Sequence, residues 1–347
     1  MRGLFGFRFS FFVACGLIGA VPVVAQQAAQ PTAPAAAPTV APAPANLPFW
    51  AYGYAQPGST QAPAMPPVQD DGSPKTLPGS TGKFTLPQIR DGFGPADWHP
   101  GDHPPMPEIV ARGRKDGNIR ACALCHYPNG KGRAENAPVS GLPVAYFIQQ
   151  MHDYRNGTRK SADPKKNNTN AMIAIAKAMT DEEIKASAEY FGSMKWTPWI
   201  KVVESRTVPK TRIAGGLFIS LPGGDTEPLG MRIIEMPEDN AREALRDPRS
   251  GFVAYVPVGA IKKGETLVKT GGGKTTACAI CHGADLKGLG PVPGLAGRSP
   301  SYSARQMFDM QVGARNGLWA DLMKPVVAKL TEEDLINISA YTASLAP

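Results

Sequence analysis

The hexapeptides ACALCH (Ala121 to His126) and ACAICH (Ala277 to His282) stand 156 positions apart and constrain this chain more than any other feature. Each places two cysteines three residues apart, hence on one face of a helical turn, with a histidine following directly. Three devices use such a pair: a zinc site, a disulfide, and a haem held by two thioether bonds. The surrounding sequence has to decide among them.

The surroundings are themselves repeated. At the same offset Gly141 matches Gly297, Tyr146 matches Tyr302, Gln150 and Met151 match Gln306 and Met307, Asp153 matches Asp309, and GTR at 157 matches GAR at 313. Beyond Arg159 the offset shortens by five, after which Met172 matches Met323, Thr180 matches Thr331 and Tyr190 matches Tyr341. Whole units are therefore duplicated. Each closes on a helix signature, MTDEEIKASAEYF or LTEEDLINISAYTASL. Thr180 with Glu183 has the capping-box spacing, and Ile184, Ala188 and Phe191 fall on one helical face. PVAYFIQQMHDYRNG and SPSYSARQMFDMQVG read as helices ending at glycine. Each copy thus reads as a short helix, CxxCH, an irregular Gly/Pro loop, a helix, a loop carrying Met172 or Met323, and a last helix.

One zinc ion on Cys122, Cys125, Cys278 and Cys281 would require the two copies to converge, and would leave His126, His282 and the matched methionines unexplained. A thioredoxin-like site lacks its βαβ setting. Covalent haem uses the cysteines, the histidine and a matched methionine alike: the thiols add to the vinyl groups, the adjacent histidine reaches the iron, and a second axial ligand comes from elsewhere in the copy. Met172 and Met323 are the matched candidates before the last helix. His152 matches Phe308 and so reads as a packing side chain, while His99 and His103, in DWHPGDHPPMP, read as rigidifying a loop.

Both copies resemble class I c-type cytochrome domains, and the chain resembles the tandem dihaem cytochromes c of bacterial periplasmic electron transport. The resemblance rests on CxxCH, PGLAG (Pro293 to Gly297), the YxxxQMxD pattern followed by GxR, and Met before LTEED. It implies a mainly α fold with two cytochrome c domains and two covalently bound haem c groups. The first would be held by Cys122 and Cys125 with His126 and Met172 on the iron, the second by Cys278 and Cys281 with His282 and Met323. In the family a proline carbonyl orients the axial histidine. Pro293 suits that role in the second copy, whereas NAPVSG places Ala137 opposite it in the first.

The remaining chain sets the context. MRGLFGFRFSFFVACGLIGAVPVVAQQ, with Arg2 and Arg8 before an apolar run, reads as a signal peptide cleaved after about residue 25, which implies a periplasmic protein. Its loss takes the net charge from +8 to +6 and leaves four cysteines, all in CxxCH. Residues 26–95 read as a disordered Pro/Ala-rich segment, apart from the aromatic LPFWAYGYA, which should pack back on a domain. Residues 96–195 and 260–347 are the expected cytochrome domains. Between them, residues 196–259 contain IKVVES, GLFISLP, MRIIEMP and FVAYVPV, short apolar runs that suggest a β-containing connector. It either fixes the domains' orientation or docks a partner.

An iron ligated on both sides has no open position, so the expected activity is outer-sphere electron transfer, as a carrier or as the cytochrome subunit of a dehydrogenase or respiratory complex. The alternative is a dihaem enzyme such as a peroxidase with one labile ligand. No nucleic-acid partner is indicated, and association with a membrane complex is open. Arg155, Arg159, Lys160, Lys165 and Lys166 face only Asp163 in the first copy's longer loop, a local balance of +4, against zero in the matching stretch. That loop is either solvated or a docking site for an acidic redox partner.

Overall fold

The computed structural model describes Ser10, residues 42–59 and residues 70–347. The expected signal peptide and the tether up to residue 41 lie outside the described residues, Ser10 aside.

The duplication seen in the sequence is a duplication of helices. The first copy runs through Glu108–Ala111, Cys122–His126, Val144–Arg155, Asn167–Ala178 and Asp181–Gly192; the second through Ala260–Thr270, Ala279–His282, Pro300–Gln311, Ala320–Val327 and Glu332–Ser344. Both closing helices start on a formed capping box. Glu183 N donates to Thr180 Oγ1 at 3.2 Å and Thr180 N donates to Glu183 Oε2 at 2.8 Å. In the second copy Asp334 replaces the glutamate, with bonds of 3.3 and 2.9 Å. Ile184, Ala188 and Phe191 are fully buried, as their shared helical face requires. The opening helices differ: eleven residues in the second copy but four in the first, where Pro107 caps the start and Gly113 at φ +65 follows the end. In the second copy the opening and closing helices cross so closely that a Cβ at Gly264 would collide with the Asn337 carbonyl, so glycine is required there.

The methionines correct one expectation. Met172 lies inside helix Asn167–Ala178 and Met323 inside Ala320–Val327, where a loop was expected in each copy. The first of these segments is rich in Ala, Met and Lys, good helix formers that outweigh its asparagines.

Residues 200–256 form the connector's strands. Ile200–Glu204 pairs in parallel with Phe252–Val256, which pairs antiparallel with Ile234–Pro237, giving one three-stranded sheet. Thr211–Ala214 and Leu217–Ser220 make a hairpin, and Thr207–Pro209 pairs with Thr226–Pro228. All four apolar runs are strands. The three additional strands, short and polar, carried no period-2 signal. The connector packs on both copies: Trp196, Trp199, Leu217, Ile219 and Phe252 cluster with Tyr127 and Ala134 of the first, while Val208, Phe218, Ile234 and Val256 join the core of the second.

The aromatic LPFWAYGYA packs back on a domain as expected, and the disorder expected over the rest of residues 26–95 is corrected within residues 70–95. Trp50 and Tyr52 are buried against the second copy, Trp50 Nε1 donating to Glu332 Oε1 at 2.8 Å and Tyr52 Oη to Asp309 Oδ1 at 2.6 Å. Further along, Leu77, Leu86, Ile89 and Trp98 make a small core closed on the connector, with Trp98 Nε1 donating to the Leu245 carbonyl at 2.8 Å. Average composition hides these few large apolar side chains. Fully burying each stabilises the fold by about 1.5–3 kcal/mol, enough to hold short stretches of chain down.

Candidate functional site

In each copy a single helical turn carries both cysteines and the histidine. The turn in the first copy is anchored at its start, where Ala121 N donates to the Gly92 carbonyl at 2.9 Å. The residue after the histidine leaves with positive φ in both copies, Tyr127 at 62° and Gly283 at 85°. That conformation is strained for a tyrosine. Burial of Tyr127 among Trp196 and Trp199 holds it there.

The histidines are set identically. His126 Nδ1 donates to the Ala137 carbonyl at 2.8 Å and His282 Nδ1 to the Pro293 carbonyl at 2.7 Å, the acceptor lying eleven residues on in both copies. A carbonyl can only accept, so Nδ1 carries the proton and the Nε2 lone pair is left for a metal. Alanine serves as well as proline, because the backbone oxygen does the orienting. Both rings are buried, and burial lowers both pKa values, which keeps the imidazoles neutral.

The four cysteines are free thiols. Burial pushes Cys122 and Cys278 up to about 11. The pairs also belong to different apolar clusters. Cys122 lies with Met172 and Met106 against one, Cys278 with Met323 against another. Each half-buried methionine is thus gathered with the cysteine of its own copy. Two thiols, an imidazole with a free lone pair and a thioether in the same apolar cluster as one of the thiols are the donor types that haem c uses.

The other histidines are engaged elsewhere. His152 Nε2 lies 3.6 Å from Asp181 Oδ1, His99 Nε2 lies 3.4 Å from Asp247 Oδ1, and His103 bridges Asp97 and the Pro104 carbonyl.

A second constellation joins the copies and was not anticipated. Arg159 donates to Gln150 of its own copy at 3.0 Å and to Tyr302 and Gln306 of the other at 2.9 and 3.0 Å. Arg315 reciprocates, reaching Gln306 at 3.2 Å and Tyr146 and Gln150 at 2.6 and 2.7 Å. Lys160 N and Asn316 N donate across the same seam to the carbonyls of Ala314 and Thr158, so the two GxR segments pair antiparallel. Both arginines are 5 % exposed, and neither is paired with a carboxylate among the described residues. All six residues were among the matched pairs of the repeat; what the matching did not show is that the pairs bond to one another.

This seam corrects the charge count of the basic loop. Arg159 and Lys166 are buried, and Arg155 pairs with Asp181 at 2.6 Å, which leaves Lys160 and Lys165 facing solvent. A +4 docking surface is therefore absent. Lys166 Nζ donates to the Tyr52 carbonyl at 2.8 Å, holding down the N-terminal segment, and burial together with nearby Arg305 depresses it to about 7. Between about pH 7 and 10 the unfolded chain binds this proton and the folded one does not. Stability should fall as pH drops through that window, by on the order of 1 kcal/mol per unit from this residue. Urea denaturation of Lys166→Met across the window should show that slope removed.

The pattern described as Cytochrome c matches residues 110–195. Cytochrome c-554(548) of Halomonas halodenitrificans is 39 % identical over 72 residues, which cover 20 % of this chain and 87 % of that one. The chain belongs to the cytochrome c family. Cytochrome c4 of Azotobacter vinelandii is 25 % identical over 238 residues, covering 66 % of this chain and 86 % of that protein. The Thiosulfate dehydrogenase electron acceptor of Stutzerimonas stutzeri is 39 % identical over 87 residues, 25 % of this chain and 38 % of that one. As a member of the family this cytochrome carries covalently bound haem c, and its function is electron transfer. No helix among the described residues is long and apolar enough to cross a membrane.

Proposed function

We propose that this protein is a periplasmic dihaem cytochrome c that relays electrons between a donor enzyme and an acceptor. Residues 96–195 and 260–347 are its two haem domains and residues 196–259 the connector that fixes them. Cys122 and Cys125 attach one haem, with His126 and Met172 as axial ligands; Cys278 and Cys281 attach the other, with His282 and Met323. The observation that carries this reading is the equivalence of the two centres, each with its histidine oriented by a carbonyl eleven residues on.

When bound, each haem supplies a one-electron ferric/ferrous couple. The chain's residues set its environment. A neutral imidazole and a thioether favour the ferrous state and close both axial positions. The apolar clusters behind Cys122 and Cys278 exclude water, which also favours the less charged reduced centre. Arg159 and Arg315, buried with neutral hydrogen-bond partners, place two positive charges where the copies meet. A dehydrogenase of the kind served by the Stutzerimonas relative is the donor class proposed. The leader sequence supports export, and assembly with such an enzyme as its cytochrome subunit is the bound form of the same function.

The reading is tested by ligand spectroscopy. The ferric protein should be low-spin and show the red absorption of a methionine–iron bond, and the reduced protein should bind carbon monoxide poorly. High-spin haem with rapid peroxide turnover would instead establish an enzyme with an open axial site.

A further inference from the structure

The two CxxCH segments match residue for residue, yet one is closed and the other open. In the first copy Leu124, between the cysteines, is 7 % exposed; its match Ile280 is 68 % exposed. The contrast continues along the segment, where buried Ala134 matches exposed Gly290. The first copy is covered by this chain's own N-terminal segment and connector. Gly92 accepts from Ala121, Arg246 donates to the Leu124 carbonyl, Asn129 donates to the Pro248 carbonyl at 2.7 Å, and Lys131 lies over the Trp199 ring. Among the described residues, no hydrogen bond from the N-terminal segment or the connector reaches the second CxxCH turn. Cys281 is exposed there, and Leu289, on the strand that packs on this turn, is 59 % exposed.

Leu322, 75 % exposed, adjoins Met323. Ile280 lies between Cys278 and Cys281, and Leu322 directly precedes Met323, so both would flank a group held by those residues, with Leu289 on the strand that packs on the CxxCH turn. The charges nearby are largely neutralised in place: Lys262 and Lys269 by Glu265, Lys263 by Glu333, Lys274 by Asp334 and Lys324 by Asp321. An apolar patch inside a balanced rim suits contact without strong electrostatic steering.

We infer that the face of the second copy around Ile280, Leu289 and Leu322 is the port through which this chain exchanges electrons, and that its occupant is a redox protein whose own prosthetic edge emerges in an uncharged apolar patch. The CxxCH turn of the first copy is covered by the chain itself, so the two haems would not be equivalent ports. This inference rests on the proposed dihaem reading.

The test uses the full haem-loaded chain and, as probe, an oxidised blue-copper protein whose copper edge lies under a neutral apolar patch. Stopped-flow oxidation of the reduced chain should be nearly independent of ionic strength. Leu289→Lys and Leu322→Lys lie outside the CxxCH motif and leave haem attachment untouched. Each should slow the reaction about tenfold by placing a charge in an apolar contact, and Ile280→Lys should add to them. Lys160→Glu with Lys165→Glu on the first copy should leave the rate unchanged, and a small uncharged oxidant such as benzoquinone should oxidise all variants alike. Unchanged rates in the leucine variants, or slowing by the first-copy pair, would overturn the inference. So would a concentration-dependent dimer abolished by Leu289→Lys, because the occupant would then be a second copy of the chain. Failure of the dihaem reading would show separately, as a missing second haem in the starting absorbance spectrum.

Discussion

Met172→His is expected to lower the reduction potential of one haem and leave the other where it was. The change replaces a thioether, which favours ferrous iron, by an imidazole, a stronger donor to ferric iron. Axial ligand identity spans roughly 0.8 V across haem proteins, and a shift on the order of 0.1–0.3 V is the expected size for this exchange. The two centres belong to separate apolar clusters, Met172 and Cys122 packing against one and Met323 and Cys278 against the other, so the perturbation should stay local. Spectroelectrochemical titration should resolve one displaced wave and one unmoved wave, and Met323→His should displace the complementary one. If neither wave moves in Met172→His, the ligand lies elsewhere, with Met106 of the same cluster next in line.

The seam between the copies should be the least tolerant polar feature of the fold. Arg159→Ala removes three hydrogen bonds from a site 5 % exposed and leaves acceptors on Tyr302, Gln306 and Gln150 to be resatisfied. A destabilisation of about 2–4 kcal/mol is expected in urea unfolding of the haem-loaded protein. Arg159→Lys should rescue little, because an ammonium cannot reproduce a planar fork that spans both copies. Arg159 and Arg315 share Gln150 and Gln306, so their alanine variants should not add: a coupling on the order of 0.5–3 kcal/mol is expected from the double-mutant cycle. Additivity would mean the two arginines act as separate surface clamps.

Much of the architecture was legible because it is local. The capping box at Thr180, the buried stripe of Ile184, Ala188 and Phe191, and the apolar runs of the connector each follow from short-range sequence pattern. The haem-binding motif is legible for the same reason, since thiols and imidazole are carried on one turn. What escaped is what depends on distant partners. Arg159 and Lys166 look solvated in a charged loop until the second copy and the N-terminal segment bury them. Leu77, Leu86 and Ile89 sit in a stretch whose average composition reads as disordered, and only their packing with Trp98 and the connector's Leu245 reveals their place. The methionine helices were hidden by asparagines and a proline, residues whose weak local preference packing overrode. The unequal exposure of Leu124 and Ile280, two near-identical positions in sequence, could not be read from either hexapeptide, because it is set by residues 92, 246 and 248.

The central claim is that both CxxCH turns are loaded, each by two thioether bonds. It is tested most directly by the mass of the exported chain after acid–acetone extraction, together with its haem content. Two haems should remain on each polypeptide, and Cys122→Ala or Cys278→Ala should weaken the attachment of one without touching the other. One haem per chain, or stoichiometric zinc in its place, would contradict the account.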